Sequence, residues 1–293
     1  MRRVLSIWWE AARPRTLAAA VAPILVGMGA AFAQGALRPL VIGAILLAAV
    51  AIQIGTNFIN DWGDFQRGAD GPDRKGPRRA VSSGEVSPEM MLRAGLASFA
   101  LAALLGTYLV GVGGWPIVWI GILSILSGIA YTAGPLPLAY IGLGDLFVFL
   151  FFGPVAVLGT EWLMVDRITL VGAIGSISVG TLATAILVVN NIRDVAGDTA
   201  AGKRTLIVRY GVVWGRRFYT ALLSAAFLCP LFLVLAGLAP PTVMLSWFAA
   251  PLARYPLALV YRKDAGAALN GALAETARLQ LGFSALLALG LTL

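Results

Sequence analysis

The chain has 293 residues, of which 59% are hydrophobic and only 12% are charged, and its mean hydropathy is +0.86. About a quarter of the residues in a soluble domain are charged, so this composition excludes a soluble domain and indicates a membrane protein. The absence of histidine excludes catalysis or metal binding by that residue. We assign the net charge of +8 to anionic lipid or anionic ligands, and we expect no nucleic-acid partner.

Apolar stretches of about 20 residues mark helices that cross a lipid bilayer. No linker divides the chain, so residues 1–293 are predicted to form a single domain. The predicted fold is all-α, a polytopic membrane protein with nine transmembrane helices around a central cavity. The weakest of the nine, 242–262, contains Pro251, Arg254 and Pro256. The predicted spans are 16–34, 38–58, 90–112, 115–133, 141–163, 168–190, 214–238, 242–262 and 274–293.

The basic residues predict the orientation of the bundle. With the N-terminus in the cytoplasm, all of the 22 Lys and Arg residues except Arg38, Arg167 and Arg254 fall on or near the cytoplasmic side. Membrane proteins carry this positive charge bias in their cytoplasmic loops. The loops after the second and sixth spans therefore face the cytoplasm.

Two acidic stretches, 57–70 and 190–198, follow the second and sixth predicted spans. Carboxylates at membrane depth are costly, which makes them candidates for a functional site. Because helix residues three or four apart share a face, each stretch presents carboxylates and amides together. The first face carries Asn57, Asn60, Asp61 and Asp64, and the second carries Asn190 or Asn191, Asp194 and Asp198.

Carboxylates on two facing helices are suited to Mg²⁺, which needs few protein ligands and takes phosphate oxygens as well. Basic side chains nearby would complement a diphosphate. These candidates for phosphate binding are Arg67, Lys75, Arg78, Arg79, Arg193, Lys203 and Arg204. Arg193 is also a candidate salt-bridge partner of Asp194. Simple solvated loop charges are the alternative, and we favour it for Asp73, Lys75, Arg209, Arg216 and Arg217.

A third stretch, 131–145, is rich in glycine and proline and carries Tyr131, Tyr140 and Asp145. These side chains are expected to reach a cavity between the spans, where aromatic faces stabilise a developing cation. A role as an interfacial anchor is the alternative for Tyr140. A diphosphate site beside an apolar cavity indicates a polyprenyl diphosphate substrate. Its ionisation gives an allylic cation, which an electron-rich acceptor captures where water is excluded.

Several segments resemble the UbiA superfamily of intramembrane aromatic prenyltransferases. They are AARPRTLAAAVAPILVG, NDWGDFQRGAD, GPRRAVSSGEVSP, YTAGPLPLAYIGLGDLFVFLFFGPVAVLGT, NNIRDVAGDTAAGKRTLIVRYG and TARLQLGFSALLALGL. GPRRAV and the YTAGPLPL segment are similar to the branch of that superfamily that prenylates a naphthoate. Gly68 with Asp70 two residues on is the form common in that branch, and Asp145 stands where the branch often has Glu.

The resemblance implies roles for individual residues. Asn60, Asp61, Asp64 and Asp70 match the first superfamily motif, and Asp194 and Asp198 match the second. Catalytic and Mg²⁺-binding roles are implied for Asp61, Asp64, Asp194 and Asp198. The segment with Lys203 and Arg204 is expected to contact diphosphate.

The implied reaction transfers a polyprenyl group to the carboxylate-bearing carbon of 1,4-dihydroxy-2-naphthoate, with loss of CO₂, and gives demethylmenaquinone. Arg13, Arg78 and Arg79 are candidates for the acceptor carboxylate. The implied location is a bacterial inner membrane, with the site open to the cytoplasm.

Other interpretations remain open at this point. The aromatic acceptor could be 4-hydroxybenzoate, homogentisate or a porphyrin-type ring, since the metal and diphosphate motifs would look alike. Phosphatidyl transfer also uses acidic clusters with Mg²⁺, but it normally concentrates its acids in one motif. A transporter or Mg²⁺ channel would place its acids near the bilayer midplane, whereas here they lie at the ends of spans.

Overall fold

The structure is a computed structural model that describes residues 2–69, 75–262 and 266–293. Within these ranges the chain is helical and contains no β-strand, as the sequence predicts. Asp70 and Asp73 lie outside the described residues. Six helical segments are long and apolar enough to cross a membrane, and a bent pair at the N-terminus would make a seventh. The six are Pro39–Gln66, Pro88–Gly113, Gly144–Val165, Leu170–Ala200, Leu206–Leu235 and Pro241–Tyr261.

The bent pair consists of α1 (Arg2–Ala12) and α2 (Pro14–Phe32), which are separated by a single residue, Arg13. Arg13 has φ 53° and ψ 67°, the left-handed conformation that non-glycine residues rarely adopt. Proline at the first position of α2 lacks an N–H, which would have no partner there in any case. The chain therefore changes direction at Arg13.

The next three helices are α3 (Pro39–Gln66), α4 (Pro88–Gly113) and α5 (Trp115–Ala130). Helix α3 continues eight residues beyond the predicted span end at 58, so the first acidic stretch is helical through Asp64. Helix α4 begins at a capping residue, Ser87, whose hydroxyl accepts a hydrogen bond from the backbone N–H of Met90. Helices α3 and α4 pack along each other.

A single long span follows, made of α6 (Gly144–Leu150), a π-helical turn at Phe151–Val155 and α7 (Ala156–Val165). The π-helical turn contains Pro154, whose missing N–H and ring disturb regular α-helical hydrogen bonding.

Helix α8 (Leu170–Ala200) is preceded by a capping residue, Thr169, whose hydroxyl accepts a hydrogen bond from the backbone N–H of Gly172 at 3.0 Å. It is the most buried of the six spans. Helix α8 is thus the central element of the bundle, and its end carries the second acidic stretch.

The last part of the chain contains α9 (Leu206–Leu235), a 3₁₀ segment (Pro241–Ala253), α10 (Arg254–Tyr261), a 3₁₀ turn (Gly266–Ala268) and α11 (Leu269–Thr292). Helix α9 starts eight residues before the predicted span at 214, with a kink at Gly211. The predicted span 242–262 is not one regular α-helix, because prolines within it, Pro251 among them, break the α-helical hydrogen-bond pattern.

The two largest hydrophobic cores among the described residues hold most of the helices together. The larger one joins α8, α9, α11 and the 3₁₀ segment through fully buried residues such as Leu182, Tyr219 and Phe283. The second joins α2, α3, α4, α5 and α7, with Ile24 and Met164 at its centre. The large cavity described below lies between these groups. Its polar end, where α3 and α8 terminate, is called the acidic end.

Candidate active site

One large cavity, of about 1040 Å³, extends from the acidic end among the helices. Its deeper walls are apolar, with Ile24, Leu109 and Ile125 contributed by α2, α4 and α5. Near the acidic end the lining changes to charged and amide side chains. These polar lining residues include Arg13, Asn57, Asn60, Asp64, Lys75, Arg79, Asn190, Asn191, Arg193, Asp194, Asp198 and Lys203.

Asp64 is the buried centre of the first acidic stretch. One of its oxygens, Oδ2, lies 2.7 Å from the guanidinium of Arg79, which is also buried. The other, Oδ1, lies 3.2 Å from Nζ of Lys203 and accepts a hydrogen bond from the Tyr140 hydroxyl at 3.1 Å. Two cations therefore compensate this carboxylate, one on each oxygen.

Asp61 and Asn60, of the same stretch, form hydrogen bonds with the surrounding protein. Asp61 is 2% exposed, does not line the cavity, and accepts from the backbone N–H of Ala80 at 3.1 Å. Asn60 accepts from the Thr132 hydroxyl at 2.8 Å. Asp61 thus contacts the loop that carries Arg79.

Asn57 connects α3 to the break between the first two helices. Its Nδ2 donates to the carbonyl of Ala12 at 2.9 Å and to the hydroxyl of Thr16 at 3.1 Å. Gln53, one turn earlier, donates to the same hydroxyl at 3.3 Å. These contacts fix the conformation that places Arg13 in the cavity wall.

In the second acidic stretch, the side chain of Arg193 forms hydrogen bonds with residues close to it in the sequence. It donates to Asp194 through Nε at 2.8 Å and to Oδ1 of Asn190 at 2.7 Å. A third hydrogen bond, at 2.7 Å, reaches Asn270 at the start of α11. The salt bridge between Arg193 and Asp194 that the sequence suggested is therefore present. Asn270 was not anticipated, since a single amide beside an apolar stretch gives little signal.

Lys203 joins the two acidic stretches. Besides its contact with Asp64, Nζ lies 3.7 Å from Oδ1 of Asp198 and 4.9 Å from the centre of the Tyr140 ring. Its side chain is 14% exposed. One ammonium thus brings together carboxylates from helices α3 and α8, which are far apart in the sequence.

Tyr140 does not line the cavity, in contrast to the expectation from the sequence. Its ring is contacted by Lys203 and by Arg67, whose guanidinium carbon is 5.1 Å from the ring centre. Arg67 also donates to the carbonyl of Thr132, and the carbonyl of Tyr140 accepts from the N–H of Arg204 at 2.9 Å. Tyr140 and Arg67 therefore connect the three loops of the acidic end.

The remaining basic candidates lie farther from the centre. Arg78 does not line the cavity, is exposed and forms a salt bridge with Glu85 at 3.2 Å. Lys75 is exposed at the cavity rim, and Arg204 is exposed outside the lining.

Aromatic side chains form part of the cavity wall next to the acidic end. Tyr131 lines the cavity. Phe147 and Phe151 also line it, with their rings stacked 6.0 Å apart between centres. The sequence signal for these two is the phenylalanine-rich run FVFLFF, which by itself predicts only part of a span. Asp145 lines a smaller neighbouring cavity instead.

The donor set matches a hard cation in its chemistry. Among the residues that the structure describes, no three Asp, Glu or Cys side chains converge as a ready-made metal cage. Asp64 and Asp198 nevertheless meet at one cation, Lys203, beside a cavity that could admit phosphate oxygens. Mg²⁺ uses one or two protein carboxylates and completes its shell with water and phosphate, so these residues fit it.

Comparison with known proteins gives an independent view of the same chain. The family model described as the UbiA prenyltransferase family matches residues 20–279. A 1,4-dihydroxy-2-naphthoate octaprenyltransferase of Haemophilus influenzae is 38% identical over 98% of this chain and 96% of its own length. The protein of the same name from Mycobacterium tuberculosis is 41% identical over 84% of this chain and 83% of its own.

Solved structures of low sequence identity share the fold. A UbiA homolog from Archaeoglobus fulgidus bound to GPP and Mg²⁺ has a TM-score of 0.66 at 16% identity and covers 96% of this chain and 99% of its own. The apo structure of a UbiA homolog from Aeropyrum pernix K1 has a TM-score of 0.66 at 17% identity, covering 92% and 96%. With the family model matching most of its length, the chain belongs to the UbiA prenyltransferase family.

Proposed function

We propose that this protein transfers a polyprenyl group from polyprenyl diphosphate to 1,4-dihydroxy-2-naphthoate, releasing diphosphate and CO₂ and giving demethylmenaquinone in menaquinone biosynthesis. The names and identities of its bacterial relatives support the choice of acceptor. The observation that carries the proposal is the position of the mixed-charge cluster around Lys203 at one end of a largely apolar cavity. An amphiphile with an anionic head and an apolar tail fits that arrangement.

Mg²⁺ is the metal proposed for this site. Asp64 and Asp198 would hold it, with Asp194 as a third carboxylate when Arg193 turns to another partner, and Asp61 supporting from behind. The ion would neutralise charge on the departing diphosphate. Whether Asp70 contributes depends on residues outside the described ranges.

The chain's own cations take the diphosphate in this proposal. Arg79 and Lys203 already lie against the carboxylate of Asp64, so they are within reach of any phosphate oxygen placed there. Guanidinium and ammonium groups bind phosphate by charge-assisted hydrogen bonds. Lys75 and Arg193 line the same end, and Arg67, Arg78 and Arg204 contribute positive charge from farther out.

The cavity walls protect the allylic cation that ionisation leaves. Tyr131, Phe147 and Phe151 offer π-faces close to the acidic end, where the first isoprene unit would lie. The apolar walls beyond them exclude water, which would otherwise capture the cation. The amides of Asn60, Asn190 and Asn191 are proposed to orient the two substrates.

Arg13 is the best placed of the three arginines considered for the acceptor carboxylate. It lines the cavity, whereas Arg78 lies outside it and Arg79 is engaged with Asp64. Its left-handed backbone conformation costs about 1–3 kcal/mol and persists because Asn57 and Gln53 hold the flanking turn. We therefore propose that Arg13 binds the naphthoate carboxylate.

The topology proposed for the membrane keeps the nine predicted spans. Helices α2, α5 and α11, of 19, 16 and 24 residues, would complete the set begun by the six apolar spans. The basic loops would place the N-terminus and the acidic end in the cytoplasm, with the protein in the bacterial inner membrane as a single domain.

The proposal can be tested in an assay with purified protein in detergent or lipid. The assay contains radiolabelled polyprenyl diphosphate, Mg²⁺ and either 1,4-dihydroxy-2-naphthoate or 4-hydroxybenzoate as the acceptor. We expect a prenylated naphthoquinone with the naphthoate alone, lost with EDTA and in Asp64→Asn. Product with 4-hydroxybenzoate alone would refute the assigned acceptor. No product with either, from protein that still melts cooperatively, would refute prenyl transfer itself.

A further inference from the structure

A second cavity, of about 20 Å³, lies directly behind the wall of the large one. Tyr131 and Asn191 line both cavities, whereas Asp145 lines only the small one. A space of 10–15 Å³ or more is enough for one water molecule. The small cavity therefore has the size of a single water site, bounded by a carboxylate on one side and by the active-site wall on the other.

Asp145 is 5% exposed and lies in the first turn of α6. Its Oδ1 is buried and has no hydrogen-bond partner among the described residues. A buried carboxylate oxygen without a donor is costly, because it has lost its hydration without replacement. A water molecule in the small cavity would supply that donor.

Tyr131 forms part of the wall that the two cavities share. Its hydroxyl packs against Gly144, the residue before Asp145, and a Cβ added there would stand 3.1 Å from the hydroxyl oxygen. A phenol hydroxyl both donates and accepts hydrogen bonds, so the Tyr131 hydroxyl can accept from one group while it donates to another. The charged groups that act on it are Asp145, Asp64, Asp198 and Arg13, and Arg209 lies beside Gly142 at the rim.

We propose that Asp145, one water molecule and Tyr131 form a relay that takes a hydroxyl proton from the aromatic acceptor and later returns it. The relay rests on the proposed function, because it needs an acceptor hydroxyl beside Tyr131. Asp145 acts through Tyr131 and is a positioning and proton-holding residue, while Tyr131 is the group that touches the acceptor.

The proposed step balances without any added reagent. The hydroxyl next to the carboxylate-bearing carbon gives its proton to Tyr131 as Tyr131 passes its own proton through the water to Asp145. The ring carbon then forms a bond to the prenyl carbon, and the diphosphate leaves with the electrons of the broken C–O bond. The ring oxygen is now a ketone β to the carboxylate, so CO₂ leaves and its electron pair forms an enolate. The enolate takes the proton back, which restores the hydroquinone and the ionised Asp145.

Asp145→Asn tests the relay in the intact protein, with Asp166→Asn as the matched control. Asp166 is exposed beyond α7, at the other end of the bundle, and its left-handed conformation suits Asn. Positioned proton transfer contributes roughly 10²–10⁴-fold, so we expect kcat to fall at least about 100-fold in Asp145→Asn. The KM values should change little, and the dependence of kcat on pH should differ from that of the wild type, because Asp145 can no longer take up a proton.

Two further variants separate the relay from a structural role. Asp145→Glu should restore most of kcat together with the wild-type pH profile, and Tyr131→Phe should lose both. A wild-type pH profile in folded Asp145→Asn would overturn the relay while leaving the proposed function intact. No naphthoate turnover by the wild-type protein would overturn the proposed function, and the relay with it. A high-resolution structure without water beside Asp145 Oδ1 would also refute it.

Discussion

Replacing Lys203 by Met would remove the ammonium that joins the two acidic stretches while keeping an unbranched apolar side chain. Asp64 would retain Arg79 at 2.7 Å, whereas Asp198 would lose the cation that lies 3.7 Å from its Oδ1. We therefore expect Lys203→Met to destabilise the metal-free protein and, at the same time, to bind Mg²⁺ more tightly.

The magnitude follows from the distances. At an effective dielectric constant of about 20, Coulomb's law gives roughly 5 kcal/mol for a contact of this length with Asp64 and slightly less with Asp198. Desolvation of the ammonium, which is 14% exposed, offsets part of this gain. Removing one partner of a buried pair typically costs about 3–5 kcal/mol, and we take about 3 kcal/mol here. That corresponds to a fall in Tm of roughly 6 °C or more.

Thermal unfolding in detergent, with EDTA and then with increasing Mg²⁺, measures both effects. A tenfold lower Kd for Mg²⁺ adds about 1.4 kcal/mol of stabilisation at saturation, so the rise in Tm with Mg²⁺ should be larger in the variant than in the wild type. Arg278→Gln is the matched control, since it also removes one cation but breaks only an exposed pair with Glu275. A variant with wild-type Tm in EDTA and a wild-type response to Mg²⁺ would refute the view that Lys203 bridges the two carboxylates.

Three further outcomes follow from the geometry. Arg13→Gln should raise KM for the naphthoate at least tenfold and leave KM for the prenyl diphosphate unchanged, whereas Arg78→Gln should change neither constant. Steady-state kinetics with each substrate varied measures both constants, and a rise of both in Arg13→Gln would contradict the assignment. Asp64→Asn and Asp198→Asn should each abolish the Mg²⁺-dependent rise in Tm, so a full rise in either variant would remove that residue from the metal site. Glu161→Leu should lower the free energy of unfolding by about 1–3 kcal/mol and leave the KM values unchanged, because it removes hydrogen bonds at the opposite end of the bundle. A denaturant unfolding curve identical to that of the wild type would contradict this prediction.

The apolar stretches were enough to predict that the chain is helical, and helical spacing was enough to place the acids on α3 and α8. A spacing of three or four residues is a property of neighbouring residues, so it can be read without knowing the fold. The structure places Asp64 and Asp198 in the wall of one cavity, whereas Asp61, on the same predicted face, does not line it. Helix ends were less accurate, because α3 and α8 continue through polar residues to Gln66 and Ala200.

Contacts between distant segments could not be predicted in this way. Tyr140 looks like any interfacial tyrosine until Arg67 and Lys203 are found against its ring. Glu161 gave no signal at all, although it is fully buried and accepts a hydrogen bond from Thr169 at 2.6 Å. Asn57 shares the face of Asp61 and Asp64, yet its hydrogen bonds go to the turn before α2. Such pairings depend on which helices become neighbours, and one sequence does not contain that information in local form.

The charges of the acidic end are paired before any substrate arrives. Arg79 and Lys203 compensate Asp64, and Arg193 compensates Asp194. If these cations had no carboxylates, the apolar cavity would have several unpaired positive groups at its polar end, and burying them would be costly. In the proposed function the carboxylates would bind a divalent ion, and the same cations would then become available to the diphosphate that arrives with it. Each charge would exchange one partner for another, so a highly charged head group could enter without leaving a buried charge unpaired.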